Sequence, residues 1–375
     1  MSRRSIAVSA VSALLMTVLF AGCWLNFSSR LTSYVAGLSG YRGRVDTGGG
    51  AESVALYGDR AYVFDRVAAE AADSGSLIQI VDVSDPVSAS IVDEFDGSPG
   101  YYPSLVTFTQ TDATTWLMLI SIASDSVYVF DLTDPDAPAL ATSFDAFSGA
   151  GMVSDVRIAG DLAYFVGDGF TIWDFGDSNP VNWVELGTIP GGDFSGTPEF
   201  RQLCLAGDYA YVANEDFGLV IINIANTASP SITRVDTTIN TVSDVDVLTE
   251  SDLVVTDDYY NSWSVNIVNP TTPIPSEPEE GVMGHFSVRS PQTADNTDAS
   301  EMYARRLCYR FDAVELLGID GELVPLRRLI YPGLEENTGS QMMELVTSYE
   351  FADGLVAVAH GSDGLVLFDM NEADY

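Results

Sequence analysis

The sequence contains no lysine. All 16 of its basic residues are arginine, and they face 54 aspartates and glutamates, for a formal net charge of −38. A chain this anionic repels phosphate backbones, which argues against nucleic acid as a partner and equally against anionic membrane surfaces. Histidine is almost as scarce, as His285 and His360, and the cysteines are Cys23, Cys204 and Cys308. No C-x-x-C, H-x-H or H-E-x-x-H spacing occurs, so the clustered ligands of a transition-metal site are missing and no metal residues are assignable. There is no G-x-S-x-G elbow and no phosphate loop. The segment "AHGSDG" around His360 holds Ser, His and Asp, but neighbours on a strand point to opposite faces, and a turn with a surface histidine accounts for it. After residue 23 no long segment shows a helical period.

What is present starts with the acidic surplus, which is spread along the chain and does not form a tail. It describes a solvated surface more than one site. Either a salty medium, where screening lowers self-repulsion, or an Arg-for-Lys composition bias in an ordinary acidic secreted protein produces it, and the two are compatible. "MSRRSIAVSAVSALLMTVLFAGC" opens with Arg3 and Arg4, continues uncharged from Ser5 to Gly22 and ends in small residues before Cys23. That is the layout of a secretory signal over 1–22. The cysteine after "FAG" resembles the lipobox of bacterial lipoproteins, with Phe20 where leucine is usual. The resemblance implies cleavage before Cys23, lipid attachment there, and a tether over 23–40. Trp24, in place of aspartate, implies an outer-membrane or cell-surface position; the alternative is a soluble secreted or periplasmic protein.

The folded part repeats. "IQIVDVSDP" and "VYVFDLTDP" have weaker copies in "FTIWDFGDSNP", "LVIINIANTASP", "WSVNIVNP", "VELLGIDGELVP" and "LVLFDMNEADY". Anchored on Asp82, the equivalents are Asp131, Asp174, Asn223, Asn266, Gly318 and Asp369, at steps of 49, 43, 49, 43, 52 and 51 residues. That period suits four-stranded propeller blades. "VALYGDRAYVFD", "VRIAGDLAYFVG" and "LCLAGDYAYVAN" each read as two β-rich runs joined by Gly-Asp. The anchor segment is a third run, an Asp-Pro or Asn-Pro turn follows, and a fourth run closes the unit. The last unit has three runs and then ends. "YRGRVDT" at 41–47 matches the fourth-run type, notably "TRVDT" at 233–237, and supplies what is missing.

The expectation is therefore an all-β, seven-bladed β-propeller of four-stranded antiparallel blades over 41–375. Blades fall near 51–97, 98–148, 149–193, 194–237, 238–280, 281–335 and 336–375, the last completed by 41–47. At the anchors the chain resembles the LVIVD-repeat family of bacterial and archaeal β-propellers, most clearly in units one, two and four. Unit six departs furthest, with Gly318 for aspartate and an apparent insertion near 291–301. The resemblance implies a fold and an exported or surface location more than a reaction.

Propellers usually bind at a mouth of the central channel. First-strand polar residues placed to face it are Asp155, Arg157, Arg201, Gln202, Asp244 and Asp246, read either as a channel-mouth site or as salt-bridged wall. Trp116, Trp173, Trp183 and Trp263 read as packing between blades. No catalytic residue is assigned. No cofactor is required, although oxygen-rich tracts such as "TDPDAP" and "SDVDVLTESD" (243–252) leave Ca²⁺ open. Cys204 and Cys308 lie in different units and read as free thiols. The function expected is a non-catalytic, lipid-anchored binding or scaffolding propeller of the cell envelope, its partner an envelope protein or glycan, touching the membrane only through its lipid. The alternative is a channel-site enzyme, such as a Ca²⁺-assisted hydrolase or lactonase.

Overall fold

The computed structural model describes residues 41–369 except 73–76, 98–102, 112, 122–125, 148–150, 195–199, 250, 258–260, 277–278, 281–285, 288–301, 308–312, 320–322, 330–347, 353–354, 360 and 362–363. The signal-like segment, the tether, Cys23, Cys308, His285, His360 and the insertion near 291–301 lie outside the described residues.

All the described sheets are antiparallel, and within each the strands follow chain order except where the N-terminal strand joins the last sheet. Sheet I comprises Ala51–Tyr57, Arg60–Asp65, Leu77–Asp82 and Ser90–Asp96. Sheet II comprises Pro103–Thr109, Thr115–Ser121, Ser126–Asp131 and Ala139–Asp145. Sheet III comprises Val153–Ala159, Leu162–Gly167, Gly169–Asp174 and Val184–Pro190. Sheet IV comprises Phe200–Ala206, Tyr209–Asn214, Gly218–Asn223 and Ser231–Asp236. Sheet V has Asp244–Thr249, Asp252–Thr256 and Asn261–Asn266, edged by the two-residue pieces Ile274–Pro275 and Glu279–Glu280. Sheet VI holds Phe286–Ser287, Met302–Leu307, Ala313–Ile319 and Leu323–Leu329. Sheet VII holds Ser348–Ala352, Leu355–Ala359 and Leu365–Asp369, and the last of these pairs with Tyr41–Val45.

Local chemistry explains the units. The Gly-Asp hairpins have Gly58, Gly160 and Gly207 at φ of 54°, 58° and 56°. With the following aspartate at negative φ, this is a type II′ turn, whose twist matches the flanking strands. Sheet II lacks the motif, and Ala113 takes the positive φ there, at 72°. The anchors end the third strands and cap the turn that follows. Asp82, Asp131, Asp174, Asn223 and Asn266 accept the backbone N–H two residues on, at 2.9, 2.7, 2.8, 3.1 and 3.3 Å. This Asx geometry is why aspartate and asparagine recur at that position.

The outer edges of sheets I, II, III, IV and VI carry the same irregularity. The register slips one residue between Ile80 and Val81, Val129 and Phe130, Ile172 and Trp173, Ile221 and Ile222, and Leu316 and Leu317. The pairing of Tyr41–Val45 with Leu365–Asp369 slips at the equivalent place, between Tyr41 and Gly43. Bulges of this kind increase the local twist of the edge strand. Gly43 and Gly187 occupy matching sites beside them. A Cβ would meet the Pro86 carbonyl oxygen at 2.8 Å from Gly43 and that of Thr227 at 2.4 Å from Gly187. In both places the proline turn of one sheet seats on the outer strand of the sheet before it.

The core is divided into clusters shared by neighbouring sheets. Val45, Val54, Val63, Val81, Ala357, Leu365 and Leu367 pack between VII and I, and Tyr62, Phe64, Ile78, Ile80, Leu117, Leu119 and Phe130 between I and II. Further clusters join II to III, III to IV and IV to V. Alternate residues of one third strand thus serve opposite neighbours, Ile78 and Ile80 on one side and Val81 on the other.

The sequence shows no long helical period after residue 23, and the helix that the structure adds to the sheets is too short to produce one. A short helix, Arg66–Ala71, follows the second strand of sheet I. Asp65 nucleates it. Its buried carboxylate accepts the Ala68 N–H (3.0 Å), the Gly50 N–H (2.9 Å) and the Thr47 hydroxyl (2.6 Å). One side chain therefore caps the helix and fixes the segment leading from Val45 into sheet I. Asp65→Ala, which leaves three donors unmatched, is expected to lower unfolding stability by about 3 kcal/mol in urea titrations. A loss below half that value would show that water replaces the carboxylate.

Candidate functional site

The first strands of consecutive sheets lie side by side. Ala51–Tyr57 packs on Pro103–Thr109, Val153–Ala159 on Phe200–Ala206, and Phe200–Ala206 on Asp244–Thr249. Each has hydrogen-bond partners in its own sheet on one edge only, so the other edge must find acceptors elsewhere. Side chains provide them. The Leu105 N–H donates to the Ser53 hydroxyl (2.9 Å), the Leu203 N–H to Asp155 Oδ2 (3.0 Å), and the Val245 N–H to Gln202 Oε1 (3.4 Å). Ser53, Asp155 and Gln202 are each the third residue of their strand. Each lies where the inner register slips, between Ala51 and Ser53, Val153 and Asp155, and Phe200 and Leu203. The bulge turns the side chain along the wall toward the next sheet.

The six expected channel residues divide among three arrangements. Asp155, Arg157, Asp244 and Asp246 form one mutually interacting group, which also includes Cys204. Arg157 donates to Asp155 Oδ1 at 2.9 Å. Asp244 is fully buried and Asp246 nearly so, whereas the side chains of Asp155 and Arg157 keep 17% and 29% exposure. Arg201 leaves the group: its guanidinium pairs with Glu215 at 2.5 Å and is 54% exposed. Gln202 serves as the inter-sheet acceptor just described. Sequence reasoning missed Ser53, whose equivalence to Asp155 and Gln202 was available from strand position, and Cys204, whose apolar neighbours in "RQLCLAG" give no sign of a charged setting.

Electrostatics follow from three carboxylates and one guanidinium in a wall. Burial pushes the Asp155 carboxyl up, against the pull of Arg157 and of the Leu203 and Val156 N–H groups. Asp244 goes well above the carboxylate range, first through burial and then through Asp246. Arg157 loses hydration, yet Asp155 and Asp246 more than restore its charge and raise it. Burial and then Asp246 lift the Cys204 thiol well above its ordinary value, so it is an unreactive thiol. Cys204 is free, as expected.

Among the described residues, no group of three or more His, Cys, Asp or Glu side chains is spaced to hold a metal ion. In the "TDPDAP" tract, Asp134 accepts the Asp136 N–H and Asp136 binds Arg60 across the I–II seam at 2.5 Å. These acidic residues thus have turn and seam duties. Trp116, Trp173 and Trp183 pack in the II–III cluster and Trp263 against the IV–V cluster, as the sequence suggests.

The comparisons agree with this geometry. The WD40 β-propeller domain of Doa1 is similar at a TM-score of 0.59 and 9% identity, over 89% of this chain and 96% of that one. A crystal structure of a protein from Lactobacillus plantarum is similar at 0.58 and 14% identity, over 75% and 84%. At these identities the likeness concerns the fold alone: the protein is a β-propeller. The LVIVD repeat family matches residues 48–96, 150–189 and 200–237, which are sheets I, III and IV. Sheet II, expected to be among the clearest units, is not in the matched stretches; its Ala113 hairpin replaces the Gly-Asp turn that the matched sheets share. No curated protein matches the chain.

The wall group has a signed pH consequence. A carboxyl raised in the folded state holds a proton that the unfolded chain has released, so stability falls as pH rises from about 4 through the folded value. Wild-type melting temperature should therefore rise as pH is lowered from neutral, and Asp244→Asn should flatten that dependence while melting a few degrees higher at neutral pH. Differential scanning calorimetry across pH checks this, and a variant with the parent's slope contradicts it. Asp155→Ala should cost about 2 kcal/mol by stranding Arg157 and the Leu203 N–H, and Asp155→Asn less, because it keeps an acceptor.

Proposed function

We propose that this chain is a seven-bladed, ring-closed propeller acting as a non-catalytic binding or scaffolding protein of the cell envelope, held there by lipid on Cys23. The ring reading is supported by the pairing of Tyr41–Val45 with Leu365–Asp369 and by its bulge, placed as in the other outer strands. Closure of this kind leaves no sheet edge open between first and last units. The observation that carries the non-catalytic reading is that the polar groups of the described wall engage one another. Asp155 is held by Arg157 and Leu203, Arg201 by Glu215, and Gln202 by Val245. Cys204, the nucleophile in their midst, is buried and has its thiol raised. A wall occupied in this way is rigid support for a surface, without an activated group for substrate.

The anchor follows from the "FAGC" segment. Acylation contributes about 0.8 kcal/mol per buried methylene, and two or more chains make attachment stable. With a net charge of −38, the body stays clear of anionic lipid, so contact with the membrane runs through the lipid alone and the partner is an envelope protein or glycan.

Mass spectrometry of the mature protein from its native envelope tests the anchor. The expected N-terminus is Cys23 with the added mass of acyl chains, and Cys23→Ser should appear in the soluble fraction without them. An unmodified mature N-terminus at another residue would refute it. Turnover of esters or lactones by the purified protein with Ca²⁺, abolished by Asp155→Asn, would refute the non-catalytic reading.

A further inference from the structure

Exposed apolar residues gather at one end of the sheets. Of the ten large hydrophobic side chains exposed among the described residues, eight lie in the turn after a third strand or in the first three residues of an outer strand. Sheet I is the most open. Its outer strand Ser90–Asp96 is exposed over its first five residues, Ile91 and Val92 among them, whereas the outer strands of sheets II, III and IV are exposed over the first two at most. Val87, in the turn just before it, is 68% exposed. Neighbouring exposed apolar side chains of this kind mark a contact surface.

The chain enters the fold at the same place. Tyr41 stands opposite Phe368, beside the anchor Asp369, as Ser90 stands opposite the anchor Asp82. Two residues on, Gly43 lies against the turn of sheet I, where a Cβ would meet the Pro86 and Val87 carbonyl oxygens at 2.8 and 3.8 Å. Residues 24–40, which lead to Tyr41, read "WLNFSSRLTSYVAGLSG". They carry Trp24, Leu25, Phe27, Leu31, Tyr34, Val35 and Leu38, with Arg30 as the sole charge, and every acidic residue of the chain comes later. The rim has the complementary charge, since Asp85, Asp93 and Glu94 are exposed beside Val87 and Val92. Those carboxylates also keep the rim off an anionic membrane, which leaves the chain's own lead segment as its cover. Seventeen residues span at most about 60 Å, so the segment reaches sheet I with length to spare.

We propose that residues 24–38 dock on the turn and outer strand of sheet I, with their apolar side chains over Val87, Ile91 and Val92 and Arg30 among Asp85, Asp93 and Glu94. The docking does not require lipid on Cys23. Where the anchor proposed above is in place, docking also orients the body. The Gly-Asp hairpin and the anchor share one end of a sheet, as Arg60 opposite Asp82 shows. Asp155, Gln202 and Asp244 fall within the first three residues of their strands, at the other end. A lipid held at the proline-turn end thus leaves the wall group on the side away from the membrane. That consequence rests on the anchor reading, which the mass of the mature N-terminus tests separately.

Photocrosslinking of the full chain with benzoylphenylalanine in place of Leu31 tests the docking. The expected crosslinks fall within residues 84–96 of the same molecule. Val92→Asp should lower their yield about fivefold or more, because it buries a charge under the segment. Val184→Asp, at an exposed valine on the outer strand of sheet III, should leave the yield within about twofold. Crosslinks that fall elsewhere on the chain, join two copies or go to added phosphatidylcholine vesicles overturn the proposal. So does a yield that Val92→Asp leaves unchanged or that both substitutions lower alike. Should Val92→Asp not fold, the crosslink map of the otherwise unaltered chain decides.

Discussion

Everything in this architecture depends on the fact that its sheets are apolar on both faces. In sheet I the third strand sends Ile78 and Ile80 toward sheet II while Val81 and the neighbouring Val63 face Val45 and Leu365 of sheet VII. Burying side chains of this kind is worth about 1.5–3 kcal/mol each, so a sheet with one face in water would forfeit much of its stability. No unit can fold alone, and a row of them leaves two raw ends. The meeting of Tyr41–Val45 with Leu365–Asp369 brings the ends of the row together in one sheet, and Asp65 locks the connection through Thr47 and Gly50.

Apolar stacking sets the neighbours but not their angle or height. Polar devices do that, and they sit at bulges. On the outside, the repeated slip near the anchor and the glycines at Gly43 and Gly187 let one sheet's proline turn approach the next sheet's outer strand. On the inside, a second slip turns Ser53, Asp155 and Gln202 toward the next backbone. The price of this arrangement is a wall in which Asp155, Asp244 and Asp246 share one guanidinium. That residual negative charge is tolerable because part of the group borders solvent and because the most buried carboxyl is raised toward its neutral form.

The anionic surface and the wall group have different physical standing. The exposed Asp85 and the half-buried Asp131 spend their carboxylates on capping turns. The wall carboxylates give up hydration and are offset by Arg157 and backbone N–H groups. The raised carboxyls of Asp155 and Asp244 couple protonation to folding, with stability falling as pH rises.

What could be read from the sequence was whatever is made within one segment. Asp82 and its equivalents bond two residues ahead, the Gly-Asp turns close on themselves, and strand runs alternate locally, so unit length, strand number and the anchor all leave a trace in residue order. Strand position also put Asp155, Arg157, Asp244 and Asp246 among the channel candidates, together with Arg201 and Gln202 and without separating them. The short helix after Asp65 was not legible, because its cap is completed by Thr47 and Gly50 from another strand. Nor was the parting of Arg201 toward Glu215, or the entry of Cys204 into a charged setting, or the tying of Asp155 to a backbone 48 residues away. Those outcomes depend on where a bulge falls and on which sheet stacks next, and only the three-dimensional packing of one unit on another decides either.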